Sequence, residues 1–145
     1  EILIGLVGSE MCIRDSYHKD LLGANNNIII SSPVISGPKV YELINLLKEK
    51  QMSGVQITIV TWAPDSYRFG DAAYWMQLHE DMRQAGFYIK TVEESCERFA
   101  VIDQEVVWYG NINLLAKDKV DDSIMRVMSK EIASELMEIT FGDNG

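Results

Sequence analysis

Residues 95 to 113 carry the side chains whose types and spacing could do chemistry. Cys96 and Arg98 stand just before one short apolar run, and a second apolar run ends in Gly110 and Asn113. A thiolate is a nucleophile, a guanidinium binds phosphate oxygens through paired hydrogen bonds, and a glycine lets the backbone approach a phosphate. Two interpretations are therefore open: an ordinary buried hairpin, or a site that handles phosphate.

The composition of the chain suits one compact domain. Its 145 residues, 47% of them hydrophobic, can bury a substantial core, and no segment is long enough to span a membrane. The net charge of -9 argues against wrapping duplex DNA by positive field alone, although a local basic pocket is compatible with it. Two cysteines are too few for a disulfide scaffold and nothing reads as a secretory signal, so we expect a cytoplasmic location.

The first sixteen residues, EILIGLVGSEMCIRDS, fit no element that follows. They resemble the translation of a transposase-type sequencing-library adapter, with VGSEMCIRDS as its constant part. We therefore exclude residues 1 to 16, including Cys12, from functional inference and treat residues 17 to 145 as the domain. The alternative is a genuine amphipathic N-terminal segment.

From residue 17 onward, the spacing of apolar and turn residues predicts alternating helices and strands. The predicted helices are a short one at residues 18–22, one between Pro38 and Gly54, one between loop 62–70 and Gly86, and one at about 130–140 capped by Ser129. The predicted strands are residues 27–32, 55–61, 87–92, the two runs of the hairpin, and 123–128. Trp75, Leu78, Met82 and Ala85 form one helical stripe, which predicts core packing.

This order of elements predicts an α/β fold with a mixed, mainly parallel sheet flanked by helices. Strand-helix-strand repeats build parallel pairs through right-handed crossovers, and the hairpin adds antiparallel character. Ligands in open sheets of this kind bind where loops leave the carboxyl ends of strands. The loops that begin at Ser31, Thr61 and Val92 are therefore the candidate rim of a site.

Three other polar runs are conspicuous. Residues 18–20, His-Lys-Asp, are adjacent and lack strand spacing, so we expect a solvated helix surface. Residues 79–81, His-Glu-Asp, lack a second matching His, so an exposed helix surface is expected rather than a metal site. Residues 67–69, Tyr-Arg-Phe, could stack on and pair with a nucleotide or could simply anchor the rim loop.

The spacing in residues 95 to 113 resembles the signature of the phospholipase D superfamily. That signature is His-x-Lys, an Asp five positions after the Lys, and then, after six residues, Gly-Ser/Asn-x-Asn. The chain fills four of these positions, with Asp103, Gly110, Asn111 and Asn113. Cys96 stands in the His position and Arg98 in the Lys position. The similarity covers residues 17 to 142 and looks like the bacterial phospholipase D-like domain found alone or appended to helicases.

The resemblance implies site roles and no cofactor or metal. In this superfamily the His attacks phosphorus, the cation two residues on neutralises phosphate oxygens, and the Asn of the turn donates a hydrogen bond to them. The implied catalytic residues are Cys96, Arg98, Asp103 and Asn113. The implied phosphate-binding residues are Arg98, Gly110, Asn111 and Asn113. Asp121 or Asp122 would orient the site, and the alternative for both is plain loop acidity.

We expect catalysis to be severely impaired or absent. A free thiol has a pKa of about 8.5, although Arg98 could lower the pKa of Cys96. A thiol nucleophile cannot give the leaving alkoxide a proton, and such acid catalysis contributes about 10²- to 10⁴-fold in rate. Members of the superfamily also assemble one site from two copies of the motif, whereas this chain holds one. A homodimer or a missing N-terminal half would have to supply the other.

Three functions remain open from the sequence. The chain could be a phosphodiesterase-type domain acting on nucleic-acid or lipid phosphodiesters. It could be a catalytically inactive accessory module that binds nucleic acid for a helicase-type partner. It could also be a purely structural dimerisation domain. We favour binding of nucleic-acid phosphodiesters with impaired or no catalysis.

Overall fold

The described part of the chain forms one sheet with helices on both faces. The computed structural model describes residues 3–6, 10–33, 35–63, 72–92, 97–110 and 124–141. Its strands are β1 (Leu3–Leu6), β2 (Asn27–Ser31), β3 (Gln56–Trp62), β4 (Tyr88–Val92), β5 (Phe99–Ile102), β6 (Val106–Gly110) and β7 (Ile124–Met128). Its helices are α1 (Glu10–Leu22), α2 (Gly37–Met52), α3 (Ala72–Gln84) and α4 (Lys130–Phe141). Within these residues, no helix combines the length and the apolar character needed to cross a membrane.

The seven strands lie in the order β1-β7-β6-β5-β2-β3-β4. The predicted mixed α/β sheet is confirmed, but the parallel share is smaller than expected, because only two of the six pairings are parallel, β2 with β3 and β3 with β4. The reason is the position of the hairpin. β5 does not extend the sheet beyond β4 but pairs antiparallel with β2, and β6 and β7 then continue the antiparallel half.

Two hydrophobic layers hold the helices on the sheet. Alternate side chains of β2 point to opposite faces, so Ile28 and Ile30 join one layer and Ile29 joins the other. The first layer packs α1, α2 and α3 against the sheet and includes the fully buried Trp108. The second packs α4 through Ala133 and Leu136. The predicted core stripe of α3 is confirmed, since Leu78 and Met82 are buried in the first layer and Trp75 and Ala85 pack against it.

A polar junction joins α1 to the antiparallel half of the sheet. Asp20 accepts hydrogen bonds from Trp108 Nε1 at 2.7 Å, Arg126 Nε at 2.6 Å and Arg126 Nη2 at 3.0 Å. The Asp20 side chain is only 15% exposed, so the expectation of a solvated surface is wrong for this residue. Asp20 shares the inward helix face with buried Tyr17 and Leu21, which turns its carboxylate towards the sheet.

The N-terminal segment also differs from expectation. Residues 3–6 form the edge strand β1, which pairs antiparallel with β7, and α1 begins at Glu10 rather than near residue 18. The expectation that residues 1 to 16 fit no element is therefore wrong for these described parts. Their interpretation as a library-derived leader concerns their origin and stays a prediction.

His79 is buried, although an exposed helix surface was predicted for it. The residue is 1% exposed, because it follows Leu78 on the inward side of α3, and neither of its ring nitrogens has a hydrogen-bond partner. Burial, and to a smaller extent the charge of Arg83, lowers the pKa of His79 below its ordinary value. Among the described residues, no group of three or more His, Cys, Asp or Glu side chains could hold a metal ion.

The turn between β5 and β6 is strained. Asp103 and Gln104 both have positive φ, 55° and 59°, and the Glu105 N–H bonds to the Ile102 carbonyl at 3.1 Å. This is the type I′ geometry, which favours Asn or Asp followed by Gly. Asp103 suits the first position, whereas Gln104 occupies the left-handed region with a side chain that is exposed to solvent.

The burial of neutral His79 predicts acid-sensitive stability. Below about pH 6.5 the unfolded chain protonates His79 more readily than the folded chain does, so the free energy of unfolding falls as pH decreases. In His79→Leu this contribution disappears, and the loss of stability between about pH 7.5 and about pH 5.5 becomes smaller than in the wild type. Urea unfolding at both pH values measures it. An identical pH slope in the two proteins would contradict the assignment.

The strained turn predicts that Gln104→Gly stabilises the protein. Glycine removes the cost of a left-handed side chain, and although it also raises the entropy of the unfolded chain, we expect a net gain of about 0.5–1 kcal/mol in the free energy of unfolding. Glu105→Gly, one residue along without a positive φ, is the control and should destabilise the protein. Denaturant unfolding decides the matter, and a loss of stability in Gln104→Gly would refute the turn geometry.

Candidate functional site

Arg98 and Gly110 lie at the same edge of the sheet. Phe99 pairs with Tyr109 in the antiparallel ladder of β5 and β6, so the residue before Phe99 and the residue after Tyr109 flank the same end of the hairpin. Phe99 also pairs with Ser31, the last residue of β2. The beginning of β5 therefore meets the carboxyl end of β2. Arg98, just before β5, and Gly110, at the end of β6, both lie at that edge.

The loops predicted as the rim leave from this edge as well. Parallel pairing sets Ser31 beside Val60 and Trp62 beside Val92, so β2, β3 and β4 end together. Their exits are tied to one another, because the Ala63 N–H bonds to the Val92 carbonyl at 3.1 Å. The rest of the rim, including Tyr67, Arg68 and Phe69, lies outside the described residues.

Buried hydroxyl groups line the base of this edge. Ser31, Ser32 and Thr61 are 1%, 0% and 0% exposed. The Ser31 hydroxyl donates to the Glu97 carbonyl at 2.5 Å, and the Thr61 hydroxyl donates to the Pro33 carbonyl at 3.1 Å. Sequence reasoning placed Ser31 and Thr61 at the candidate rim but did not predict that their hydroxyl groups are buried and bonded to other segments. The signal that could have found them is the abrupt change from three isoleucines to two serines in NIIISS.

Among the described residues of the motif, Arg98 carries the positive charge at this edge. It is half-buried, and the alternation along β5 places residue 98 on the same face as Ala100 and Ile102, the face covered by α1, α2 and α3. A guanidinium remains charged at any physiological pH and presents several N–H donors in one plane. Close to Gly110, where no side chain blocks the backbone, such a group is suited to binding a phosphate oxygen.

Asp103 lies at the opposite end of β5. The four residues of β5 separate it from Arg98, a distance of roughly 16 Å along a strand. Its carboxylate accepts backbone N–H groups of Asn25 at 2.9 Å, Asn26 at 2.7 Å and Asn27 at 3.1 Å. Asp103 therefore lies at the other end of β5 from Arg98, and its catalytic role stays a prediction. It holds the start of β2 against the hairpin turn.

The remaining predicted site residues lie outside the described part of the chain: Cys96, Asn111, Asn113, Asp121 and Asp122. Their roles stay predictions. The neighbouring register is informative, because Ile124 pairs with Gly110 at the end of β6. The segments that carry these residues thus join the described strands at the same edge as Arg98.

Comparisons with known proteins agree with this architecture. Nuc of Salmonella typhimurium, a phospholipase D family member, superposes with a TM-score of 0.70 at 16% identity, covering 96% of this chain and 90% of that chain. NucT of Helicobacter pylori gives a TM-score of 0.65 at 12% identity, covering 96% of this chain and 93% of that chain. The archaeal chromatin protein TrmBL2, described as showing a novel mode of DNA binding, gives 0.61 at 11% identity, covering 96% of this chain and 51% of that chain.

At these identities the solved structures show a common fold. A search among curated proteins found no match. A family model described as "Cardiolipin synthase, PLD-like domain" matches residues 17–141, which is most of the chain. The chain therefore belongs to the phospholipase D-like domain family.

Proposed function

We propose that this domain binds nucleic-acid phosphodiesters and that its hydrolytic activity is impaired or absent. The observation that carries this proposal is the meeting of Arg98 and Gly110 at the edge of the sheet where β2, β3 and β4 end. Arg98 would neutralise a phosphate oxygen, and Gly110 would let the backbone approach the phosphate. Asn111 and Asn113, which follow in sequence, would add amide donors.

The impairment follows from the residues that stand in the nucleophile and cation positions. A free thiol has a pKa of about 8.5, so little of it is the thiolate nucleophile near neutral pH, and a sulfur that has bonded to phosphorus holds no proton for the departing alkoxide. Arg98 keeps the positive charge, but its planar fork does not reproduce the point charge of a lysine. Phosphate binding therefore tolerates these replacements better than phosphoryl transfer does.

The supporting residues fit the same proposal. Asp121 and Asp122 precede β7, whose first residue pairs with Gly110, so either carboxylate could orient a donor at this edge. Asp103 would act from a distance by anchoring β2. A second copy of the chain or another phospholipase D-like half would complete a two-motif site.

Nucleic acid is the favoured ligand. The chain has only two cysteines, and this composition favours a cytoplasmic location. A DNA-binding chromatin protein among the structures that share the fold supports this choice. The net charge of -9 implies contact through a local site rather than wrapping, and hence binding that weakens with salt. The alternative is a catalytically inactive accessory or dimerisation module of a helicase-type partner, which would bind the phosphodiester weakly or not at all.

Arg98→Gln should weaken binding of a short single-stranded DNA oligonucleotide by at least about 10-fold, because it removes a hydrogen bond between charged groups. Fluorescence anisotropy at low salt measures the affinity. Arg83→Gln is the matched control, since Arg83 lies in the last turn of α3 at the opposite edge and is half-exposed beside Glu80. Equal losses in the two variants would mean non-specific attraction. If the wild type does not bind the oligonucleotide, the proposed binding function fails and a purely structural dimerisation domain remains as the explanation.

Restoring the motif should restore chemistry. The double variant Cys96→His, Arg98→Lys is expected to release nitrophenol from bis(p-nitrophenyl) phosphate, whereas the wild type is not, because the double variant recovers a nucleophile and a cation suited to phosphoryl transfer. The control combines Cys96→His with Arg83→Lys, which leaves the motif cation unchanged. Wild-type turnover equal to that of the double variant would overturn the impairment.

A further inference from the structure

One buried hydroxyl reaches into the motif itself. Ser31 is 1% exposed, pairs with Phe99 across β2 and β5, and donates its hydroxyl hydrogen to the Glu97 carbonyl at 2.5 Å. Glu97 is the residue between Cys96 and Arg98. The Ser31 hydroxyl of β2 thus bonds to the backbone of the residue that separates the two motif positions, Cys96 and Arg98.

We propose that Ser31 is a positioning residue for the phosphate site. Its hydroxyl holds the peptide between Glu97 and Arg98 in one orientation and so sets the direction in which the side chain of Arg98 leaves the backbone. Ser31 would do this for the site proposed above, on which the inference rests. It would not touch the bound phosphodiester.

The geometry of the strand explains why such a contact matters. β5 begins at Phe99, so Glu97 and Arg98 precede the residues whose backbones the sheet ladder holds. A peptide unit is planar, and fixing its carbonyl oxygen also fixes the N–H of the next residue. The bond from Ser31 therefore extends the attachment of β5 to β2 as far as the backbone of Arg98.

The Thr61 hydroxyl, at the same edge of the sheet, shows that a buried hydroxyl there need not bond to Glu97. Thr61 is as deeply buried as Ser31, and its hydroxyl satisfies its hydrogen-bonding need on the Pro33 carbonyl, in the loop after β2. The Ser31 hydroxyl instead crosses to the chain segment that carries the motif. The Ser31 and Thr61 hydroxyl groups thus bond to different segments, and the Ser31 bond reaches the segment that carries the motif.

Ser31→Ala tests the assignment against Ser129→Ala. Ser129 is also buried, at 5% exposed, and its hydroxyl accepts the Ile132 N–H at 3.1 Å at the start of α4, away from the motif edge. Both variants lose one buried hydroxyl contact, so both should be destabilised to a similar degree in thermal unfolding. The matched pair therefore separates an effect on the site from a general loss of stability.

Two readouts report on the site. The first is the affinity for the single-stranded oligonucleotide, which Ser31→Ala should lower about 5-fold, the equivalent of one hydrogen bond of average strength. The second is the pH dependence of Cys96 alkylation by iodoacetamide, followed by peptide mass spectrometry so that Cys12 is counted separately. Loss of a fixed Arg98 should move the midpoint for Cys96 towards that of a free thiol. Ser129→Ala should change neither readout.

Ser31→Thr retains the hydroxyl and should restore both readouts. If Ser31→Ala does not fold, Ser31→Cys replaces it, since a thiol of nearly the same size is a weaker donor and should give an intermediate shift. The assignment is overturned if the Ser31 and Ser129 variants behave alike in both readouts. A wild type that binds no oligonucleotide refutes the proposed function, whereas the alkylation profile of Ser31→Ala still decides the positioning role.

Discussion

The antiparallel pairing of β5 with β2 is the constraint on which the rest of the structure depends. All four residues of β5 are buried, and the strand lies between β2 and β6 near the middle of the sheet. Because β5 runs opposite to β2, its first residue meets the carboxyl end of β2, where ligands bind in sheets of this kind. A β5 that was parallel to β2 would carry Arg98 to the opposite edge.

Side-chain contacts fasten this pairing at both ends. At the functional edge, the Ser31 hydroxyl bonds to the Glu97 carbonyl. At the other edge, the Asp103 carboxylate accepts three consecutive backbone N–H groups, and the Asp103 N–H donates to the Asn27 carbonyl at 2.8 Å. Hydrogen bonds to a charged group stabilise by about 1.5–3 kcal/mol each, so the register of β2 and β5 is strongly specified. Asp103 thus fixes the start of β2 against the hairpin turn.

The structure also shows which contacts hold the hairpin of this phospholipase D-like domain in place. Among the described residues, these contacts use the apolar residues of β5 and β6, the Asp103 carboxylate and the Ser31 hydroxyl. Arg98 and Gly110 lie at the edge where β5 begins, and a guanidinium beside a glycine is an arrangement suited to an anion.

The sequence by itself determined the local elements and which strand ends share one edge of the sheet. Helical and strand periodicity, the Gly and Pro boundaries and the Ser129 cap all depend on neighbours within one or two turns, and most of the helices and strands from residue 17 onward were predicted within a few residues of their ends. The rim at Ser31, Thr61 and Val92 followed from the strand order. Only the tertiary structure decided that β5 inserts beside β2, that Asp20 binds Trp108 and Arg126, and that His79 is buried without a partner. These outcomes depend on residues 68 to 106 positions apart in the chain or on which helix face meets the sheet, and no local pattern encodes such long-range contacts.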